Sequence, residues 1–315
     1  DGSPIVAWLG AVIIIFGVTQ AILQTDMRRL LSYHIISQVG YMVVAIGIGT
    51  AAGLTGTFAH LTANVLYKGL LFMIAGAIIV RTGEGSLKRL GGLARQMPLT
   101  FGTFLVAALA ITGIPGFSGF ISKGLVTKAV ENTGAELLWW VLVVGSVGTV
   151  LSFVKFGYYA FVRRPPGPIS VAPGSRILTA SLVVIAVPSV LFGLFPGAFL
   201  GAFAGSPGSF EPYAVSELTK ALAVALAGIV GFVLLREPLA HVTPADVDRI
   251  LNPAAAALGA RTSGAAVGVG ATATHATATL SERLGSLAGG DSPTAETTLR
   301  TALWLLTATT GQIGR

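Results

Sequence analysis

Residues 58–73 read FAHLTANVLYKGLLFM. They lie inside an apolar run, residues 56–80, long enough to cross a bilayer at roughly 20 residues per helical span. Lys68 falls near the middle of that run, where a lysine costs on the order of 3 kcal/mol on insertion scales. A charge kept at that cost reads as functional, with a partner close by. At the helical repeat, His60, Asn64 and Lys68 lie one above another on a single face. The rest of the helix is Leu, Phe, Met, Ile and Val. The bland alternative is a lysine that snorkels to the interface or pairs structurally. It leaves the His and Asn stacked beneath Lys68 unexplained.

The whole chain has the same character. Its 315 residues are 53% hydrophobic and only 10% charged, with a mean hydropathy of +0.80. That composition belongs to a polytopic membrane protein rather than a soluble domain. With no cysteine, disulfide staples and thiolate metal sites are excluded. The net charge of +7 does not indicate nucleic acid, because the basic residues fall in short loops between apolar spans. Residues 1–4, DGSP, resemble neither an initiator methionine nor a signal-peptide start. The expectation is the later part of a longer protein, or a chain completed by another polypeptide.

Seven spans are expected. The first covers residues 5–23 and ends at the charged turn QTDMRR. The second runs over residues 31–49, and residues 51–57 read as a small-residue turn. The third carries Lys68 and is followed by a polar loop, residues 81–98. The fourth, residues 99–130, is too long for one straight helix and contains TGIPGFSG at residues 112–119. Proline removes a backbone donor and clashes with the preceding turn, and the glycines weaken the helix further. A helix broken at residues 112–120 is expected, with Lys123 just after the break. Unwound backbone at membrane depth survives only where protein or water satisfies it, and such helices often carry transport sites. The fifth span, residues 137–162, holds Lys155. Spans at residues 177–195 and 220–235 complete the set. The fold class is therefore all-α, polytopic, with about seven transmembrane helices including a broken one.

Basic residues fall after odd-numbered spans: Arg28 and Arg29; Arg81, Lys88, Arg89 and Arg95; Arg163, Arg164 and Arg176; Arg236 and Arg249. The opposite side carries Glu131, Glu136, Glu211 and Glu217. By the positive-inside rule the basic side is cytoplasmic, and the protein is a multi-pass protein of the cell membrane. Residues 237–315 read as a cytoplasmic or interfacial tail. Residues 254–290 are rich in Ala, Gly and Thr, and residues 297–310 suit an interfacial helix rather than a span.

Lys68, Lys123 and Lys155 in apolar spans are hard to explain by packing. A lysine so placed can hold or release a proton when a neighbouring charge moves. His60 can do the same, and Asn64 can hold water or a hydrogen-bonded link. His60 and Lys68 are about 12 Å apart along one helix, so a proton passing between them needs water or Asn64. His34 reads first as an interfacial or structural residue, and otherwise as a group that takes up protons from the cytoplasmic side. No metal site is expected at His60 and Lys68, since no carboxylate accompanies them and lysine is a rare ligand. Ser37, Gln38 and Tyr41 suit hydrogen bonds between helices. His241 and His275, in the tail, suggest no role. No nucleophile–base pair, paired carboxylate or cofactor loop is present, so no cofactor and no soluble-enzyme chemistry is expected.

The pieces TDMRRLLSYHIISQVGYM, HLTANVLYKGLLFMIAGAII, LGGLARQMP and GIPGFSGFISK occur in the order and spacing of the proton-translocating antiporter-like subunits. That family comprises large subunits of Mrp-type Na+/H+ antiporters and membrane-arm subunits of respiratory complex I. The resemblance covers residues 5–164, and more loosely the two spans after them. It implies a second five-helix inverted repeat over residues 5–163, two trailing helices over residues 176–236, and a first repeat supplied elsewhere. On this resemblance Lys68 matches the central lysine of the second half-channel. His60 matches the first of two histidines on that helix, and Lys123 the lysine after the broken helix. Asn64 stands where many members have the second histidine, and His34 where serine is usual.

Lys123 followed by Gly124, Leu125 and Val126 is similar to the D-type antiporter subunit, as is DVDR at residues 246–249. The resemblance therefore implies a membrane subunit exchanging H+ for Na+ through a Lys/His/water wire, alongside other membrane subunits in a lipid bilayer. A proton-pumping subunit of a complex I or hydrogenase-related redox complex is the alternative. A membrane scaffold whose polar residues only lock helices together is a third reading.

Overall fold

The computed structural model describes residues 2–201 and 210–241. Its elements are α1 (Pro4–Leu23), α2 (Met27–Ile48), α3 (Ala51–Thr82), the short α4 (Leu93–Gln96), α5 (Pro98–Thr112), α6 (Ser118–Glu131), α7 (Glu136–Gly157), α8 (Arg176–Leu194), the short α9 (Pro196–Leu200) and α10 (Val215–His241). A π-helical turn at Tyr158–Val162 prolongs α7. Six of these helices are long and apolar enough to span a membrane, and α5 with α6 forms a further crossing in two halves. The protein is an all-α polytopic membrane protein. Among the described residues the only bridge pairing joins Asp26 and Ser86.

The central element is α3, which packs against α2, α5, α6 and α8, while α1 lies along α2 and α7 against α1 and α10. Leu70, Leu71, Ile74 and Ile78 of α3 are fully buried, with Phe104 and Ile111 of α5, Ile121 of α6 and Phe153 and Phe156 of α7. Leu54, Phe58, Leu61 and Val65 of α3 are exposed, whereas His60, Asn64 and Lys68 are buried, so the polar face of α3 lies inside protein rather than lipid.

Helix α3 begins earlier than the sequence suggests. Residues 51–57, expected as a turn, form its first two turns, because Gly49 and Thr50 are enough to reverse the chain. Gly49 ends α2 with a left-handed φ of 71°, and the Thr50 hydroxyl caps α3 by accepting from the Gly53 N–H at 3.0 Å. The small Ala, Gly and Thr side chains carry no apolar signal, but α3 lies against α2 there, and the Thr57 hydroxyl donates back to the Gly53 carbonyl at 2.9 Å. Likewise α10 starts at Val215 rather than Lys220 and passes through Pro238 to His241, so residues 237–241 extend a helix where a tail is expected. The rest of the tail, including residues 246–249, 254–290 and 297–310 and His275, lies outside the described residues.

The basic residues gather at one end of the bundle, where they tie loops together. The Arg163 guanidinium donates to the carbonyls of Leu87 (3.3 Å) and Leu90 (3.2 Å) and to that of Lys88. Arg81 Nε donates to the Ala172 carbonyl at 2.8 Å. At the opposite end Lys220 joins Glu131 (2.9 Å) and Glu217 (3.1 Å).

Candidate functional site

The break between α5 and α6 builds the position of Lys123. Helix α5 ends where Gly113 turns left-handed, with φ 79°, and its N–H returns to the Ala110 carbonyl while that of Ile114 reaches Leu109. Helix α6 then passes so close that a Cβ on Gly119 would overlap the Ala110 carbonyl oxygen. That approach brings Lys123, one turn further on, back over the end of α5. Its ammonium donates to the Ile111 carbonyl at 2.7 Å, one of the last carbonyls of a helix, which have no intrahelical donor and carry the negative end of the dipole. The same ammonium stands 5.2 Å from the centre of the Tyr41 ring, within cation–π range.

Tyr41 and Ser122 connect Lys123 to His60. The Tyr41 ring lies 5.7 Å from that of His60. Its hydroxyl donates to the Leu142 carbonyl at 2.8 Å and is 2.9 Å from the Ser146 hydroxyl. Ser122, beside Lys123 in sequence, shares a 3.0 Å hydrogen bond with His60 Nδ1, so α3 is tied to α6 at this point. His60 also meets the Tyr67 ring at 6.5 Å, and the Tyr67 hydroxyl donates to Gln38 Oε1 at 3.4 Å.

Lys68 points toward α2. It donates to the Leu31 carbonyl at 3.0 Å, one turn from His34. His34 is fully buried against the Phe153 ring of α7 at 4.9 Å, so of the two expectations, interfacial or structural, the interfacial one does not hold: α7 covers α2 at this point. Neither His60 nor Lys68 is hydrogen-bonded to Asn64, whose Oδ1 is buried without a protein partner. The ladder along one face of α3 is thus divided. His60 belongs with Lys123 on α6, and Lys68 with His34 on α2.

Lys155 closes the row at the basic end, donating to the carbonyls of Ile22 (2.5 Å) and Gln24 (2.6 Å) at the C-terminus of α1. All three lysines are therefore buried on backbone carbonyls, and among the described residues none pairs with a carboxylate. Around them a set of buried polar atoms has no protein partner: both nitrogens of His34, His60 Nε2, Gln38 Nε2 and the hydroxyls of Ser37 and Ser152. Cavities meet the row at its two ends. One of about 80 Å3 is lined by Lys123, Thr127, Ser146, Glu217 and Lys220, and one of about 250 Å3 by Lys155, Lys88, Arg163 and Arg236. Among the described residues no cluster of three His, Asp or Glu side chains could hold a metal.

The interhelical partners Leu31 and Ile111 escape sequence reading because backbone carbonyls leave no mark in a sequence. Ser122 alone left a signal, as a small polar residue within the apolar stretch beside Lys123.

Residues 2–152 match the family described as NADH:quinone oxidoreductase/Mrp antiporter, TM. This region belongs to that family. Lys155 lies three residues beyond the matched part. Over 204 residues the chain is 34% identical to the N-type subunit of NADH-quinone oxidoreductase from Desulforudis audaxviator, covering 61% of this chain and 41% of that one. Over 154 residues it is 40% identical to the D-type Na+/H+ antiporter subunit from Alkalihalophilus pseudofirmus, covering 49% and 31%. The chain therefore spans less than half the length of these relatives. Among solved structures, the Mrp complex from Dietzia sp. DQ12-45-1b aligns with a TM-score of 0.57 at 25% identity, over 72% of this chain and 49% of that one. Respiratory complex I from Thermus thermophilus shares the fold with a TM-score of 0.57 at 24% identity, over 71% and 44%.

Proposed function

We propose that this antiporter-like chain is a membrane subunit of a multisubunit cation/proton antiporter. It carries H+ along Lys155, His34, Lys68, His60 and Lys123, with water beside Asn64, in exchange for Na+. The observation that supports this reading is the row itself: three buried lysines and two buried histidines run between cavities at opposite ends of the bundle, each ammonium resting on carbonyls. A carboxylate partner would hold an ammonium in its charged form, and its loss would strand a buried charge. A neutral carbonyl does neither, so a proton can leave when a nearby charge changes. Lys123 lines the 80 Å3 cavity, which gives a proton leaving its ammonium a way out at that end of the row. Polar atoms without protein partners around His34, Gln38, Asn64 and His60 suit water, which normally takes such sites.

The described carboxylates all lie at helix ends or in loops. The Na+ step is accordingly assigned to other membrane subunits or to the polypeptide or upstream segment that supplies the first five-helix repeat. The basic end faces the cytoplasm of the cell membrane by the positive-inside rule. A second reading is a proton-pumping subunit of a redox complex, favoured by the 204-residue match to an NADH-quinone oxidoreductase subunit. Reconstituted vesicles separate the two. The antiporter reading expects a Na+ gradient alone to move H+ through the purified assembly, with only membrane subunits co-purifying. Proton movement that requires electron transfer, with Fe–S subunits co-purifying, overturns it.

A further inference from the structure

The 250 Å3 cavity at the basic end is lined by Lys88, Lys155, Arg163 and Arg236 with no carboxylate among its described residues. The Lys88 side chain is exposed and makes no hydrogen bond or ion pair among the described residues. Among the described residues Arg236 meets only Glu237, at 3.9 Å on the protein surface. Arg163, although bonded to carbonyls, stacks its guanidinium 4.6 Å from the centre of the Tyr159 ring. Phe232 and Arg236 also line a second space, an apolar groove of about 490 Å3 between α5, α7 and α10. Its walls include Phe104, Leu105, Val150, Val154 and Ile229. Along α7 the lining runs from Val150 to Val162, about 18 Å at 1.5 Å per residue. That is close to one leaflet of a hydrocarbon core about 30 Å thick.

We infer that this composite space binds one anionic phospholipid, its headgroup among Lys88, Arg163 and Arg236 and an acyl chain along the groove toward the break in α5–α6. The charge pattern selects the occupant. A protein helix would need acids at one end to match three or four cations, and a zwitterionic lipid would leave them half-answered. A headgroup phosphate supplies the negative charge at the depth where the groove turns from apolar to basic. Two features of different chemistry, a cationic cup and a leaflet-long apolar groove, share residues and so form one site. The inference does not depend on which ion the assembly moves.

The test is native mass spectrometry of the full-length protein in its assembly, titrated with phosphatidylglycerol, phosphatidylcholine or inorganic phosphate. Phosphatidylglycerol is expected to bind more tightly than phosphatidylcholine, and inorganic phosphate should not displace it. The double variant Lys88→Gln/Arg236→Gln should weaken phosphatidylglycerol by about thirty-fold, at about five-fold per cation. Both residues are exposed, so the variant should fold. Val154→Trp, which fills the groove and spares the cations, should weaken it independently. Equal binding of the two lipids, displacement by inorganic phosphate, or unchanged affinity in the double variant would each overturn the inference. So would a structure of the assembly with a protein helix lying in the groove.

Discussion

Replacing Ser122 with alanine removes one oxygen from a fully buried site and cuts the bond that joins α3 to α6 at His60. The hydrogen bond measures 3.0 Å, and His60 Nε2 already lacks a protein partner, so the variant leaves both ring nitrogens without one. Interhelical hydrogen bonds in membranes contribute about 0.6 kcal/mol on average and up to about 1.7, while an orphaned buried group costs about 1–3 kcal/mol. The expected loss of stability is therefore about 1–2 kcal/mol, toward the upper end if no water reaches Nδ1. If His60 must be oriented to pass protons toward Lys123, the same free energy appears in transport, where about 1.4 kcal/mol is tenfold in rate. Proton flux should fall by about five- to thirty-fold. The assay combines thermal unfolding of the purified assembly with proton flux in vesicles, for Ser122→Ala, His60→Ala and the double variant. Contacting residues couple by about 0.5 kcal/mol or more. Additive effects of the two substitutions, together with unchanged flux in Ser122→Ala, would refute the reasoning.

Other perturbations probe neighbouring parts of the row. Gly119→Ala drives a Cβ into the Ala110 carbonyl. Overpacking typically costs about 1–3 kcal/mol, and backbone cannot yield as a side chain can, so assembled protein should fall sharply on size-exclusion chromatography. Lys155→Met removes the donor that holds the Ile22 and Gln24 carbonyls. Proton uptake from the basic side should slow while binding of partner subunits, read by co-purification, persists. Lys220→Met breaks two partly exposed ion pairs. Each such pair contributes about 0.2–1 kcal/mol, so the melting temperature of the variant should change little and its sensitivity to added salt should decrease.

The spans were legible because hydropathy over some 20 residues follows directly from the cost of exposing a backbone to lipid. The break was legible because Pro115 and its neighbouring glycines cannot continue a helix. The start of α3 was not, since Ala51, Ala52 and Gly53 carry no apolar signal and the deciding contact is a cap at Thr50. Of the site, the lysines stood out by their cost in an apolar run, whereas their acceptors did not. Leu31, Ile111, Ile22 and Gln24 act through backbone carbonyls, placed by packing between helices far apart in sequence. The stacked spacing of His60, Asn64 and Lys68 suggested one continuous ladder, yet α6 and α2 approach α3 at different heights and divide it. His34 looked peripheral because sequence depth cannot show that α7 covers it.

The measurement that bears most directly on the proposed route is H+ movement by the reconstituted assembly with Lys68 replaced. Lys68→Ala leaves the Leu31 carbonyl with its helical donor but removes the buried stem along with the ionisable group, whereas Lys68→Met removes the ionisable group and keeps most of the stem. The account predicts that Na+-driven H+ movement is lost while the variant still assembles, and that Lys68→Met behaves the same way. Full antiport in an assembled Lys68→Ala variant would contradict it and leave the buried lysines as packing alone.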